Sequence, residues 1–92
     1  MENNGYFSAM IVDGIDCDKE SMVFRCTESW GERKKKTFKI FGRHEIVGNL
    51  SNIIGQAIVK VSRYSKDEKW QYLGLWGDGG DSISVAGEFS IC

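Results

Sequence analysis

The chain has no proline, a single histidine and only three cysteines among its 92 residues. Without proline no X-Pro bond punctuates the loops, and the turns fall to 11 glycines. The lone His44 offers little acid–base or metal chemistry. Its neighbour Glu45 leaves the backbone on a different side of either a helix or a strand, so the two form no local pair. Cys17, Cys26 and Cys92 are odd in number and lack CxxC spacing, which fits reduced thiols better than a disulfide framework. No glycine-flanked nucleophile or third orienting group marks any of them for a Cys–His pair. No apolar run approaches the ~20 residues that a membrane-spanning helix needs. The amino-terminal MENNGYFSAMIVDG lacks the basic start and apolar stretch of a secretory signal. These absences lead to the expectation of a cytoplasmic protein without cofactor, metal, membrane contact, small-molecule substrate or catalytic activity.

What is present is enough for one folded domain, residues 1–92. Hydrophobic residues make up 41% of the chain and aromatics 12%, which argues against disorder. Tyr6 to Ile15 is rich in aromatic and β-branched residues and predicts a strand. A turn follows at Asp16–Ser21. Met22, Phe24 and Cys26 then alternate with Val23, Arg25 and Thr27, giving a second strand. After a turn around Gly31 the basic segment predicts a third, with Phe38 and Ile40 on one face and Lys35, Thr37, Lys39 and Phe41 on the other.

From His44 the period changes. Ile46, Leu50, Ile53, Ile54, Ala57, Ile58 and Val61 share one side of a helical wheel, opposite Glu45, Asn49, Asn52, Gln56, Lys60 and Arg63. This predicts an amphipathic helix, weakened at Gly48 and Gly55 by roughly 1 kcal/mol each. Asn49 is an alternative N-cap. A rival reading ends the helix at Gly55 and makes AIVKVSRY a strand. Trp70–Trp76 predicts a further strand, GDGGD a loop, and the last segment a strand with Ile83, Val85, Phe89 and Ile91 inward. The expected fold class is therefore α+β. It is an antiparallel β-sheet of about five strands, β-β-β-α-β-β, with one amphipathic helix packed on one face.

Charge is segregated. Residues 1–32 carry a net −5, residues 33–69 a net +7 and residues 70–92 a net −3, in a chain whose total is only −1. A field acts over about 8–10 Å at physiological salt, so the middle segment can attract anions despite that total. Arg33, Lys34, Lys35, Lys36, Lys39 and Arg43 belong to the stretch ERKKKTFKIFGR, and Lys60 and Arg63 lie on the exposed side of the expected helix. If that side adjoins the third strand, one continuous basic patch results. Trp30, Phe41, Tyr64 and Trp70 flank it and are suited to stacking on bases. A lysine-rich strand also serves to keep a sheet edge soluble and unpaired, and that reading stands beside the first. No RNP, KH, zinc-finger or helix-turn-helix signature accompanies the patch.

Asp13, Asp16 and Asp18 lack the frame and the distal glutamate of an EF-hand, and read as turn residues or as contacts for a basic protein surface. Asp78 and Asp81 sit in GDGGD, which has phosphate-loop glycines but neither the lysine nor the following helix. Trp30, Trp70, Tyr72 and Trp76 are candidate aromatic anchors for a protein interface.

With its small size, its segregated charge and the stretches MENNGYFSAMIVDG and KKKTFKIFGR, the chain resembles the type I-F anti-CRISPR proteins. The resemblance is one of size and style over the whole chain. Such inhibitors share no motif, so no residue roles transfer one by one. It implies a phage-encoded inhibitor acting in the bacterial cytoplasm. Its partner would be a CRISPR surveillance complex, contacted through protein subunits and guide RNA, with target DNA recognition blocked by occupancy. Acidic segments would take Lys/Arg sites meant for DNA, and the basic strand would touch guide RNA or an acidic subunit. Two other readings stay open: a small nucleic-acid-binding module using the basic strand, and a virion assembly protein. Flanks of net −5 and −3 would repel free nucleic acid, which favours the inhibitor.

Overall fold

The most regular alternation in the sequence, Ile83 to Ile91, forms a strand whose residues alternate between a buried and an outer face. A computed structural model, describing residues 7–92, places it in a six-stranded antiparallel sheet. In chain order the strands are β1 (Met10–Cys17), β2 (Ser21–Glu28), β3 (Lys35–Val47), β4 (Ile58–Ser65), β5 (Gln71–Gly77) and β6 (Ser82–Ile91). Their order across the sheet is β1-β2-β3-β6-β5-β4. Tyr6, where the first strand is expected to begin, lies outside the described residues. Phe7–Ala9 form a turn, and β1 starts at Met10.

The two ends of the sheet meet. Ile11 bridges Ala57 in antiparallel sense. The Ala9 amide donates to the Ile58 carbonyl (2.8 Å), Val12 to Gln56 (3.1 Å) and Gly55 to Val12 (2.7 Å). This short seam lays β4 beside β1 after a long connection from β3, the Greek-key arrangement of four antiparallel strands. A sheet closed in this way has few unpaired edge groups to manage. Inside it Phe7 meets Phe24 edge-on at 4.9 Å and Phe38 at 4.6 Å. Met22, Ile40, Ile53, Ile58, Leu73, Leu75, Ile83 and Val85 complete a dry core. Among the described residues no polar or charged side chain is buried in it.

The expected long helix is not there. His44–Val47 continue β3, and the only helix among the described residues is α1, four residues from Leu50 to Ile53. Asn49 caps it, accepting the Ser51 amide at 3.0 Å, and Gly48 (φ +115°) and Gly55 (φ +89°) bracket it in conformations that end a helix. The rival strand reading holds for Ile58–Ser65. The helical spacing has a physical source. The β4–β5 register shifts between Ile58 and Lys60, so Val59 is an extra residue. A bulge of this kind puts Ile58 and Val61, three apart, on the same buried face. Ile54, expected on the apolar side of a helix, is exposed. The fold is thus mostly β, with one more strand than expected and a one-turn helix in place of a packed one.

Candidate interaction surface

Side chains of a strand alternate between faces, and β3 keeps this alternation along its whole length. Lys35, Thr37, Lys39, Phe41 and Arg43 all point outward and are exposed. The cations recur every fourth residue, about 13 Å apart along the strand. Pairing with β2 (Thr27 opposite Lys35, Arg25 opposite Thr37, Val23 opposite Lys39) places a mostly uncharged row beside them. Arg25 is itself paired with Asp16 at 3.3 Å. Lys34 approaches Glu32 at 3.8 Å, an exposed contact worth about 0–1 kcal/mol, and Lys36 approaches the largely buried Glu28 at 3.9 Å. Lys35, Lys39 and Arg43 have no ion-pair partner among the described residues.

Arg33 does not belong to the strand, which begins at Lys35. It sits in the preceding turn at φ +54°, its amide donating to the Trp30 carbonyl at 3.1 Å. The turn presents Trp30, half exposed, beside Arg33 and Lys34 at the hairpin tip.

At its other end the basic row meets an aromatic wall. Arg43 lies opposite Glu88 and His44 opposite Gly87 on β6, and Gln71 of β5 lies opposite Gly87 from the other side. Trp70, one residue before β5, thereby faces Arg43 across a shallow groove of about 390 Å³. Ala86 and Gly87 line it between them, with Lys19 and Glu88 among its charged residues. The Trp70 indole N–H is buried without an acceptor. Of the expected contacts, Arg43 and Trp70 are thus brought together. Lys19 and Glu88, absent from the expected set, join them through strand register, a signal the linear sequence does not carry.

Lys60 and Arg63 are placed elsewhere, which corrects the expected single patch. Both belong to β4, separated from β3 in the sheet order by β6 and β5. The Lys60 ammonium lies 4.8 Å from the Trp76 ring centroid, a cation–π contact. The Arg63 guanidinium donates to Gln71 Oε1 at 2.7 Å, while Gln71 Nε2 donates to the Phe89 carbonyl at 2.7 Å. Near them Tyr64 stacks on Tyr72 (4.7 Å, 14°), and Trp70 meets Tyr72 edge-on at 6.3 Å. Trp70, Tyr72 and Trp76 therefore share an outer face of β5, whereas Trp30 stands apart at the β2–β3 tip.

The acidic residues fall in two places and are largely engaged. Asp13 accepts the Thr27 hydroxyl, and Asp16 holds Arg25. The Asp18 carboxylate takes the amides of Glu20 (2.8 Å) and Ser21 (2.9 Å), bonds that hold its pKa below the usual carboxylate value. In the β5–β6 turn Asp81 accepts Gln56 Nε2 at 2.5 Å, and Asp78 is exposed. Among the described residues no three His, Cys, Asp or Glu side chains converge as a metal site, and no helix is long and apolar enough to cross a membrane. No family model matches the chain, and searches of curated proteins and of solved structures found no significant match.

Proposed function

We propose that the protein is a phage-encoded inhibitor that binds a CRISPR RNA-guided surveillance complex in the bacterial cytoplasm and blocks target DNA recognition by occupancy, without catalysis. The observation that carries this reading is the outward row of β3. It offers three cations, Lys35, Lys39 and Arg43, free of ion-pair partners among the described residues, and ends at a groove walled by Trp70. Cations without internal partners need no salt bridge broken before they meet an anionic partner, and the aromatic wall supplies the buried anchor that charge alone does not. The acids of the β1–β2 and β5–β6 turns stand on other elements, and the acid set directly beside the row is Glu88 of β6, opposite Arg43.

A second reading, a module for free single-stranded nucleic acid, draws on the Tyr64–Tyr72 stack and on Trp76 beneath Lys60, since bases stack on such rings. Size-exclusion chromatography and gel shift against a purified type I-F complex, free single-stranded DNA or RNA, and duplex DNA separate the two. Stoichiometric binding to the complex with little to free nucleic acid supports the inhibitor. Salt-sensitive binding to free strands alone overturns it.

A further inference from the structure

One constellation borders the proposed docking row. Cys17, at the end of β1, and His44, on β3, are 27 residues apart in sequence, yet Cys17 Sγ lies 3.9 Å from His44 Nε2. The other ring nitrogen, Nδ1, is 2.8 Å from the Gly42 carbonyl oxygen. A carbonyl only accepts, so this bond fixes the proton on Nδ1 and leaves the Nε2 lone pair turned towards the thiol. The arrangement has the three parts of an activated nucleophile: the nucleophile, a base within reach, and a group that orients the base. The separation is at the long end for such a contact, and the Asp18 carbonyl, 3.7 Å from Sγ, shares the S–H proton in the resting state. Cys17 is exposed and so open to a reacting molecule, and His44, though not Cys17, also lines the groove shared by Arg43 and Trp70.

We infer that Cys17 is a modification site, a histidine-assisted thiol that undergoes exchange with low-molecular-weight disulfides. His44 Nε2 takes the Sγ proton as the sulfur attacks one sulfur of the incoming disulfide. The disulfide bond breaks, a mixed disulfide forms on Cys17, and the departing thiolate recovers the proton from His44. The incoming disulfide is the oxidant, and each attack consumes one. The charged groups around the pair are Asp16, Asp18, Lys19 and Glu20 on the β1–β2 side and Arg43 and Glu45 on β3. His44 Nε2 is the group placed to remove the thiol proton during attack.

The chain carries its own controls. Cys92 is exposed, with no histidine contact among the described residues, and Cys26 is buried. The test treats the full-length protein with excess oxidised glutathione near neutral pH and follows each cysteine by intact mass and peptide mapping. The expected result is an adduct on Cys17 about tenfold or more faster than on Cys92, below the roughly hundredfold a well-placed general base contributes. His44→Asn is expected to bring Cys17 within about twofold of Cys92. Equal rates at Cys17 and Cys92 in the unaltered protein overturn the assignment without any variant. So does a folded His44→Asn protein in which Cys17 still outpaces Cys92.

Discussion

Gln56 joins three parts of the molecule through one side chain. Its Nε2 donates to the Asn52 carbonyl (2.6 Å) and to Asp81 (2.5 Å), its Oε1 accepts the Gly79 amide (2.7 Å), and its backbone carbonyl accepts Val12 across the seam. The amide occupies the space that a side chain at Gly77 or Gly79 would need, which gives those two glycines of GDGGD a structural reason. Gln56→Ala is expected to cost about 3 kcal/mol in urea unfolding, from three side-chain bonds worth roughly 1 kcal/mol each. Gln56→Glu should cost more, because a carboxylate would face the Asp81 carboxylate and the Asn52 carbonyl with no donor. An equal or smaller loss for the glutamate would mean that this amide does not hold the turn. Cys26 makes a second prediction at this scale. Burial, and then the Asp13 charge, push its thiol up to about 12 from 9.0. Between those values the unfolded chain releases a proton that the native state keeps. Stability is therefore intact below pH 9 and falls above it, by about 1.4 kcal/mol per pH unit. Lysines and tyrosines titrate in the same window, so the measurement is the difference in slope between the parent protein and Cys26→Ala. Identical slopes would show that the native thiol ionises freely. Neither residue was legible beforehand: Gln56 read as the polar side of a helix, and Cys26 only as an inward strand position.

At the scale of elements, the sequence was readable wherever one face of a strand is uniformly dry. β2 and β6 follow strict alternation and were expected almost to the residue. β4 was readable only as the alternative to a helix, because the extra residue Val59 changes the apolar period from two to three, the spacing of a helix turn. The same segment carries Gly48 and Gly55, which differ in a way that can be measured. Both have positive φ. A Cβ at Gly55 would meet nothing within 4 Å, whereas one at Gly48 would lie 2.8 Å from the Ser82 carbonyl oxygen. Gly55→Ala is therefore expected to cost about 1 kcal/mol, for backbone conformation alone, and Gly48→Ala about 2–3 kcal/mol. The β3–α1 connection would have to move away from β6 in the second variant. Equal costs in thermal or urea unfolding would mean that the connection yields freely and does not fix the end of β3. If Gly55→Ala were instead stabilising, the one-turn helix would be extending towards the form that the sequence pattern suggests.

On the whole molecule, the segregated charge resolves into separate surfaces. The cations of Lys35, Lys39 and Arg43 were visible in the sequence as a run, and β3 presents them as one row. Their separation from Lys60 and Arg63 was not visible, because it depends on a strand order in which β6 and β5 intervene. Nor was the approach of Trp70 to Arg43, which requires β6 between them. Two surfaces thus compete for the role of contact: the β3 row with its groove, and the Tyr64–Tyr72 stack on β4 and β5. Two variants decide between them. Lys35→Glu/Lys39→Glu/Arg43→Glu reverses the row at exposed positions, where unfolding is not expected and a thermal melt verifies it. If three charge-assisted contacts of roughly 1.5 kcal/mol each are lost, affinity for the surveillance complex falls by at least about a hundredfold. Binding should also lose most of its salt dependence. Tyr64→Ala/Tyr72→Ala leaves the row intact, and under the occupancy reading it should weaken binding far less. The opposite ranking would move the contact to β4 and β5 and reduce the lysines of β3 to solvated side chains. Equal, large losses in both would mean a partner that spans β3 to β4, three strand spacings or about 14 Å, across the Trp70 that borders both surfaces.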